Sequence, residues 1–522
     1  MKTWTFLFVM ILVLEHSFSA IGQDWERFEK VKMEGQPLAD QGNGFFLNPI
    51  LSGNYGDPSI VRRGNDYFMA FSRGDGMILW HSRDLVNWTP VIRHFLPEGY
   101  QRVWAVDLQY FKDQFYLYMP INSYPGRKEG ETGFGNFVIT AKNPEGPWSE
   151  PIKIDIPKPP GIDHWGAIDP GVIRTPGGKF FLYLSAGWAL PLDESGTKST
   201  GHAQKVYDGW EYPASWNVEC KCLESPKLFF KDGYFFLVSA QGGTNGPSTA
   251  HMTIVARSKS PLGPWENSPF NPLTHTYSED ERWWHQGHGT IFEATDGSWW
   301  TVFHGRLKNY TGLGRATLLM PVEWTPDGWP VIKDGFQPWN LIPKPPGENI
   351  GHGFPLSDSF LSSELGPLWH FDNAKKMLFK PGNGQLQVTA TGNNHRDGTL
   401  LTLGAVNNSF EVTVEIELPG EDATAGLALE NDGLVFNGRS ATFTEGPDWR
   451  MNQATFSSRE TGHIFFKIRN FRKDISLFYS DDGAAWTSFG KGIRREDSYR
   501  IKLFAAGTGQ AVFRNFKYTG LE

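Results

Sequence analysis

Five short segments each place one polar residue at a similar distance ahead of an aromatic run. Asp57 lies in GDPSIV, Asp107 in AVDLQYF, Asp169 in IDPGVIR, Glu224 in ESPKLFF and His288 in GHGTIFE. They stand 10, 8, 11, 10 and 10 residues before runs that begin at 67, 115, 180, 234 and 298. A lone Asp-Pro pair usually starts a turn or a strand. Three carboxylates at one repeat position, Asp57, Asp169 and Glu224, say more. Brought together they cannot all ionise easily, so at least one pKa rises and an acid and a base coexist. Cleavage of a glycosidic bond needs such a pair, one carboxyl to protonate the departing oxygen and another to activate water or attack the sugar. The same acids could instead cap strand ends or hold a metal ion.

The elements that must position them are strands. YFMAFS, FYLYMP, FFLYLS, YFFLVS and SWWTVFH each follow a turn signal and have strand composition. Their spacings of 48, 65, 54 and 64 residues are the size of a four-stranded propeller blade with variable loops. The headed segments and the aromatic runs then read as first and second strands of five blades. First strands line the central channel, so the five heads converge around one axis. HSRDLVNW, TAKNPEGPW and ARSKSPLGPW add a second repeat, each a strand end, a turn and a Trp. Near residue 337 the texture becomes Pro- and Gly-rich, in FQPWNLIPKPPGENIGHGFP, which marks a domain boundary. Beyond it QLQVTA, SFEVTVEIEL, AGLALE, HIFFKIRNF, ISLFYS, YRIKLFAAG and AVFRNFKYTG have strand length and pattern, predicting a β-sandwich. The expected fold is all-β, a five-bladed β-propeller over 23–345 followed by a sandwich over 346–522.

Composition excludes other classes. The 522 residues carry 49 Lys and Arg against 57 Asp and Glu, a formal charge of −8, with no basic excess for a phosphate backbone, so nucleic acid is not an expected partner. Lys2, an apolar run from Trp4 to Leu14 and the small or polar residues SFSA have the layout of a secretory signal peptide over 1–22, cleaved after Ser19 or Gly22. Secretion to the periplasm or the exterior is the expectation. No later run of 18 apolar residues predicts a membrane span. The two cysteines, Cys220 and Cys222, would lie about 6.6–6.8 Å apart at Cα on an extended strand, at the limit for a disulfide, so free thiols are expected. Asn87, Asn309 and Asn407 begin glycosylation triplets.

Taken in order, NPILSGNYGDPSIVRRGNDYF, IDPGVIRTPGGKFFLYLS, ESPKLFFKDGYFFLVSAQGGT, GHGTIFEATDGSWWTVFHGR and LGRATLLMPVEWTPDGWPVI resemble glycoside hydrolase family 43. The likeness is greatest to β-xylosidases and α-L-arabinofuranosidases with a C-terminal concanavalin-like sandwich. It implies an inverting mechanism with Asp57 as general base, Glu224 as general acid and Asp169 as the carboxylate that orients the acid and keeps its pKa high. It implies that Arg315 faces the substrate, and that Trp104 walls the sugar pocket unless it is buried between blades. His288 matches a histidine that in many members faces a calcium ion or a water on the propeller axis; the resemblance thus allows a structural Ca²⁺ there, which His288 would meet only indirectly because calcium prefers oxygen ligands, and implies no cofactor for the chemistry. His285, among glycines in HQGH, reads as loop, and GGTNG at 242–246 as a turn at the pocket rim.

Three positions depart from the family pattern: Gly56 where a Pro often stands, Val106 in WAVD, and Ala316 where an acid is usual. They bear on which sugar fits. The resemblance implies an exo-acting enzyme releasing β-D-xylosyl or α-L-arabinofuranosyl units from plant-type oligosaccharide or polysaccharide. A retaining fructosidase of similar architecture would carry an Asn-Asp-Pro-Asn run, which is absent. A propeller that only binds carbohydrate would have no need of intact acids.

Overall fold

The structure is a computed structural model that describes residues 35–127, 133–157, 159, 162, 167–420, 422–430, 432–443, 456–457, 462–493 and 499–521. The expected signal peptide, 1–22, lies outside them. The chain forms two compact units, one of Pro37–Phe354 with Gly366–Met377, the other containing Pro355–Leu365 and Leu378 onward. The first unit extends past the Pro-rich stretch because 347–353 is tied to its first blade. Gly353 N–H donates to the Trp88 carbonyl (2.7 Å) and Arg83 pairs with Glu348 (2.7 Å).

The first unit is a five-bladed propeller. Each predicted hairpin is an antiparallel pair of strands: Ser59–Arg63 with Asp66–Ser72, Asp107–Phe111 with Gln114–Ser123, and Gly171–Arg174 with Phe180–Leu184. Glu224–Lys231 with Tyr234–Gln241 and Trp283–Glu293 with Trp299–Leu307 complete the set. The Trp-containing turns of the second repeat follow the third strands Gly76–Ser82, Gly135–Ala141 and Met252–Ser258, as read.

The aromatic runs are explained by burial on both faces. Side chains alternate along a strand, and each second strand feeds two inter-blade cores. Tyr67, Met69 and Phe71 pack with Trp300, Val302 and Leu318 of blade five, while Phe68 and Ala70 pack with Phe115, Leu117 and Met119 of blade two. The same division holds at Phe180 and Leu182 against Phe181 and Tyr183, and at Phe235 and Leu237 against Phe236 and Val238. A fully buried side chain of this size contributes about 1.5–3 kcal/mol, so the wedge-shaped gaps between twisted blades are filled by rings rather than by a single central core.

The ring closes without a shared strand. The N-terminal segment lies along Ala316–Trp324 of blade five, with Ile50 N–H donating to Thr317 O (3.0 Å) and Asn48 bonded both ways to Leu319 (2.9 Å). Thr290 Oγ1 of blade five also donates to Pro58 O of blade one (3.1 Å).

The second unit is a β-sandwich. Its seven-stranded sheet runs, in spatial order, Phe379–Gly382, Gln385–Thr389, Gln510–Gly520, Phe410–Glu417, His463–Phe471, Asp474–Ser480 and Thr487–Ile493. A six-stranded sheet begins Thr399–Gly404, Arg500–Gly507, Ala423–Leu429. Phe410, Val412, Val414 and Ile416 point inward while the residues between them are partly exposed, the alternation of a one-sided sheet.

Two expectations fail. Cys220 and Cys222 form a disulfide, because the backbone there is not extended: Cys222 has φ 34° and the Cα atoms approach to 5.2 Å. His285 belongs to the bulged strand Trp283–Glu293 and is buried, not loop. Of the glycosylation triplets, Asn87 and Asn407 are buried, with Asn87 Nδ2 donating to Asp84 (2.8 Å) and Asn407 accepting from Tyr518 (2.9 Å).

Candidate active site

Asp57, Asp169 and His288 share a backbone feature as well as a repeat position. Each has a left-handed φ, 59°, 51° and 57°, just before or within the first strand of its blade. Non-glycine residues rarely adopt it, Asp more readily than most; it turns a side chain out of the strand's ordinary direction and is concentrated at functional sites. In blade four the left-handed residue is Ser225 (φ 51°), next to Glu224, and the hairpin register shifts between Glu224 and Lys227. Such a bulge re-aims a side chain at the end of a sheet.

Asp57 is buried and its Oδ1 is surrounded. Arg315 Nη1 donates to it at 2.6 Å, and the Nδ1 atoms of His304 and His288 lie 3.1 and 3.2 Å away. The Asp57 N–H also meets His304 Nδ1 at 3.2 Å. Burial opposes the charge on Asp57, but Arg315, followed by the two imidazoles, outweighs it and holds the carboxyl well below its ordinary value. The histidines are neutral. Burial lowers His288 to about 3 and His304 to about 4, so Arg315 supplies the positive charge.

The other two carboxyls go the opposite way. Burial and then the charge of Asp57 raise Asp169 to about 7; burial, then Asp169, then Asp57 raise Glu224 to about 8. Asp169 Oδ2 accepts from Ser225 N–H at 3.3 Å, which joins it to the residue beside Glu224. The site therefore holds one ionised carboxylate and a pair that keeps a proton at neutral pH, set by which of the three has the guanidinium.

The segment before Glu224 is fastened. The Cys220–Cys222 disulfide sits in it, Glu219 Oε2 accepts the N–H groups of Asn245 (2.7 Å) and Gly246 (2.9 Å), and Leu223 O accepts from Ala186 N–H (2.6 Å). Gly242–Gly246 is thus a turn packed on the segment leading to Glu224. Trp104 is 51% exposed with its ring 4.6 Å from that of Phe134, so it is not a buried inter-blade residue and its indole is open to a ligand.

Asp107, the fifth head, does a different job. It is fully buried, with Oδ1 accepting from Ser59 Oγ (3.3 Å) and Lys227 Nζ (2.9 Å), and Oδ2 from Val172 N–H (2.8 Å) and Gln109 Nε2 (2.9 Å). It stitches blades one, three and four to blade two. Sequence reading missed His304, Lys227 and His251. His304 ends the quoted run SWWTVFH and Lys227 lies in ESPKLFF, but nothing in their spacing distinguished them. His251, fully buried with neither ring nitrogen hydrogen-bonded, stacks on His304 at 5.1 Å.

As direct ligands, these residues do not suit calcium. Asp57, His288 and His304 place one carboxylate oxygen and two imidazole nitrogens within 4.8 Å of one another, a nitrogen-rich set, and Arg315 already occupies the oxygen. Calcium takes six to eight oxygen ligands.

A propeller whose first strands bring together two buried carboxyls and a partly buried one, divided between an ionised and a protonated state beside an arginine, is built for acid–base cleavage of a saccharide. The chain belongs to glycosyl hydrolases family 43, whose model matches residues 46–330, and the protein is a glycosidase. A non-reducing end α-L-arabinofuranosidase of Bacteroides ovatus is 32% identical over 420 residues, 74% of this chain and 74% of that protein. A xylan 1,3-β-xylosidase of a Vibrio species is 32% identical over 333 residues, 56% of this chain and 58% of that protein. The crystal structure of a family 43 protein from Bacillus licheniformis superposes with a TM-score of 0.75 at 26% identity, covering 91% of this chain and 99% of that one.

Proposed function

We propose that the protein is an exo-acting, inverting glycosidase that removes single β-D-xylosyl or α-L-arabinofuranosyl units from oligosaccharide or polysaccharide. The observation that carries this is one site in which Arg315 Nη1 holds Asp57 Oδ1 at 2.6 Å while Asp169, bonded to the Ser225 N–H beside Glu224, has no such cation on it among the described residues, an arrangement that favours the ionised form of Asp57 and the protonated form of Glu224. Glu224 gives its proton to the departing glycosidic oxygen as the bond from the anomeric carbon breaks. Asp57 takes a proton from a water that attacks that carbon from the opposite face, so the released sugar has inverted configuration. Asp169, sharing its field with Glu224 and bonded to Ser225 N–H, keeps the acid protonated and aimed. Arg315 keeps the base ionised at the pH where the acid still holds its proton, and Trp104 offers a face for the sugar ring.

The names of the relatives above support a pentose in the pocket and attack at a chain end. An exported enzyme is the reading that the first 22 residues favour, and a disulfide agrees with an oxidising compartment. Proton NMR of the first product anomer, run with aryl β-D-xyloside and aryl α-L-arabinofuranoside, tests mechanism and substrate together. Inversion is expected with at least one of them. A retained anomer, or oligosaccharide binding with no turnover on any aryl pentoside or hexoside, would refute the proposal.

A further inference from the structure

The channel contains a cation of its own. Lys227, three residues after Glu224 on the first strand of blade four, is 5% exposed at its side chain. Its ammonium crosses to blades two and three, donating to Asp107 Oδ1 at 2.9 Å, Val106 O at 3.0 Å and Pro170 O at 3.4 Å. An ammonium has three protons, and here each has an acceptor. Blades two and four are not neighbours in the ring, so a side chain that joins them crosses the channel inside blade three, to which it is also bonded. The acceptors, one carboxylate oxygen and two backbone carbonyls, are the hard oxygen donors that a calcium ion selects. Asp107 has no other positive partner among the described residues, and both its oxygens are already used.

We propose that Lys227 is a tethered counter-ion on the propeller axis, occupying the oxygen site that a structural metal ion would otherwise take, so that the folded propeller neither holds nor needs axial calcium. A divalent ion nearby would face this ammonium at short range in a buried setting, where like charges repel strongly. The same charge reaches the active site, since Lys227 favours the ionised form of Asp169 and the neutral form of His288. One residue thus joins three blades through its own bonds, and through Asp107 a fourth.

The test uses the full chain and does not depend on its activity. Calcium content is measured by plasma mass spectrometry, and Tm is followed with a chelator, with CaCl₂ and with methylammonium chloride. For the unaltered protein the expectation is no stoichiometric calcium and a Tm that none of these additions moves. Lys227→Ala leaves Asp107 buried without a counter-ion, and Tm falls by roughly 5–10 °C. Part of that loss returns as CaCl₂ or methylammonium is titrated in, because a ligand for the vacated site stabilises the fold by mass action. Should Lys227→Ala not fold, Asp107→Asn with Lys227→Met removes both charges; its expected Tm lies close to that of the unaltered protein and does not respond to cations. One calcium per chain in the unaltered protein, with a Tm that drops on chelation, would overturn the proposal. So would a folded Lys227→Ala protein that responds to neither cation, or a double variant that gains Tm with calcium.

Discussion

Gly56 is where a single methyl group should reset the base. The Arg315 side chain lies directly over it: a Cβ at position 56 would stand 2.6 Å from Arg315 Nε, 2.8 Å from Cζ and 2.9 Å from Cβ. Ordinary contact is about 3.5 Å, so in Gly56→Ala the guanidinium must withdraw by about 0.6–0.9 Å. Gly56 does not have a left-handed φ, so the backbone accepts alanine and the effect is confined to this contact. The Arg315 Nη1 to Asp57 Oδ1 bond, 2.6 Å in the structure, then lengthens toward the weak end of the hydrogen-bonding range, at most about 3.2–3.5 Å. Complete loss of such a bond to a charged group costs about 1.5–3 kcal/mol, so at about 1.36 kcal/mol per pKa unit the weakened bond should raise Asp57 by up to about one to two units. Asp57 works as a base only when ionised, so the acidic limb of kcat/KM moves to higher pH by that amount while the alkaline limb stays. The assay is kcat/KM against pH on an aryl pentoside, whose acidic limb reports the free enzyme's base. Arg315→Met should move the limb in the same direction and at least as far. If both variants keep the acidic limb of the unaltered protein, Arg315 does not set the ionisation of Asp57 and the reasoning fails.

Other outcomes follow from the same geometry. Glu224→Gln should lower hydrolysis of natural linkages by about 10²–10⁴-fold and spare much of the rate on aryl glycosides with good leaving groups, whereas Asp57→Asn should cripple both; equal losses in Glu224→Gln would remove Glu224 from the acid role. Glu224 is raised from its ordinary 4.5 to about 8, so the folded protein holds a proton that the unfolded chain has released, and this group's contribution to stability falls as pH rises through that window. Glu224→Gln should therefore gain Tm relative to the unaltered protein between pH 4.5 and 8, with no gain below it, measured by calorimetry. Thiol labelling should find Cys220 and Cys222 unreactive until reduction, and because the loop they close is so short, Cys220→Ser should cost below about 2 kcal/mol in denaturant unfolding. Trp104→Ala should raise KM by about 3–10-fold with a smaller change in kcat, as expected for loss of a stacking face worth about 0.5–1.5 kcal/mol.

Much of the fold is legible because propeller blades repeat a burial problem. Runs such as YFMAFS and YFFLVS are aromatic at consecutive positions since both strand faces are covered, and that pattern is written in order along the chain. The sandwich was readable where strands alternate, as in SFEVTVEIEL, and less so at Thr399–Gly404 or Thr487–Ile493, which carry weaker patterns. The disulfide is not legible in ECKCLE because an extended backbone would hold the two cysteines apart, whereas Cys222 turns left-handed and brings them together.

By itself the chain determined that five polar heads would converge, since similar offsets from repeating strands place them at roughly equivalent points around an axis. What each head does was decided only by tertiary contacts. Asp57 and Asp107 look alike in sequence, yet one faces Arg315 from blade five and the other Lys227 from blade four, partners 258 and 120 residues away. Ionisation depends on the charges and burial around a carboxyl within a few ångströms, and those neighbours come from other blades, at separations along the chain that no local pattern encodes.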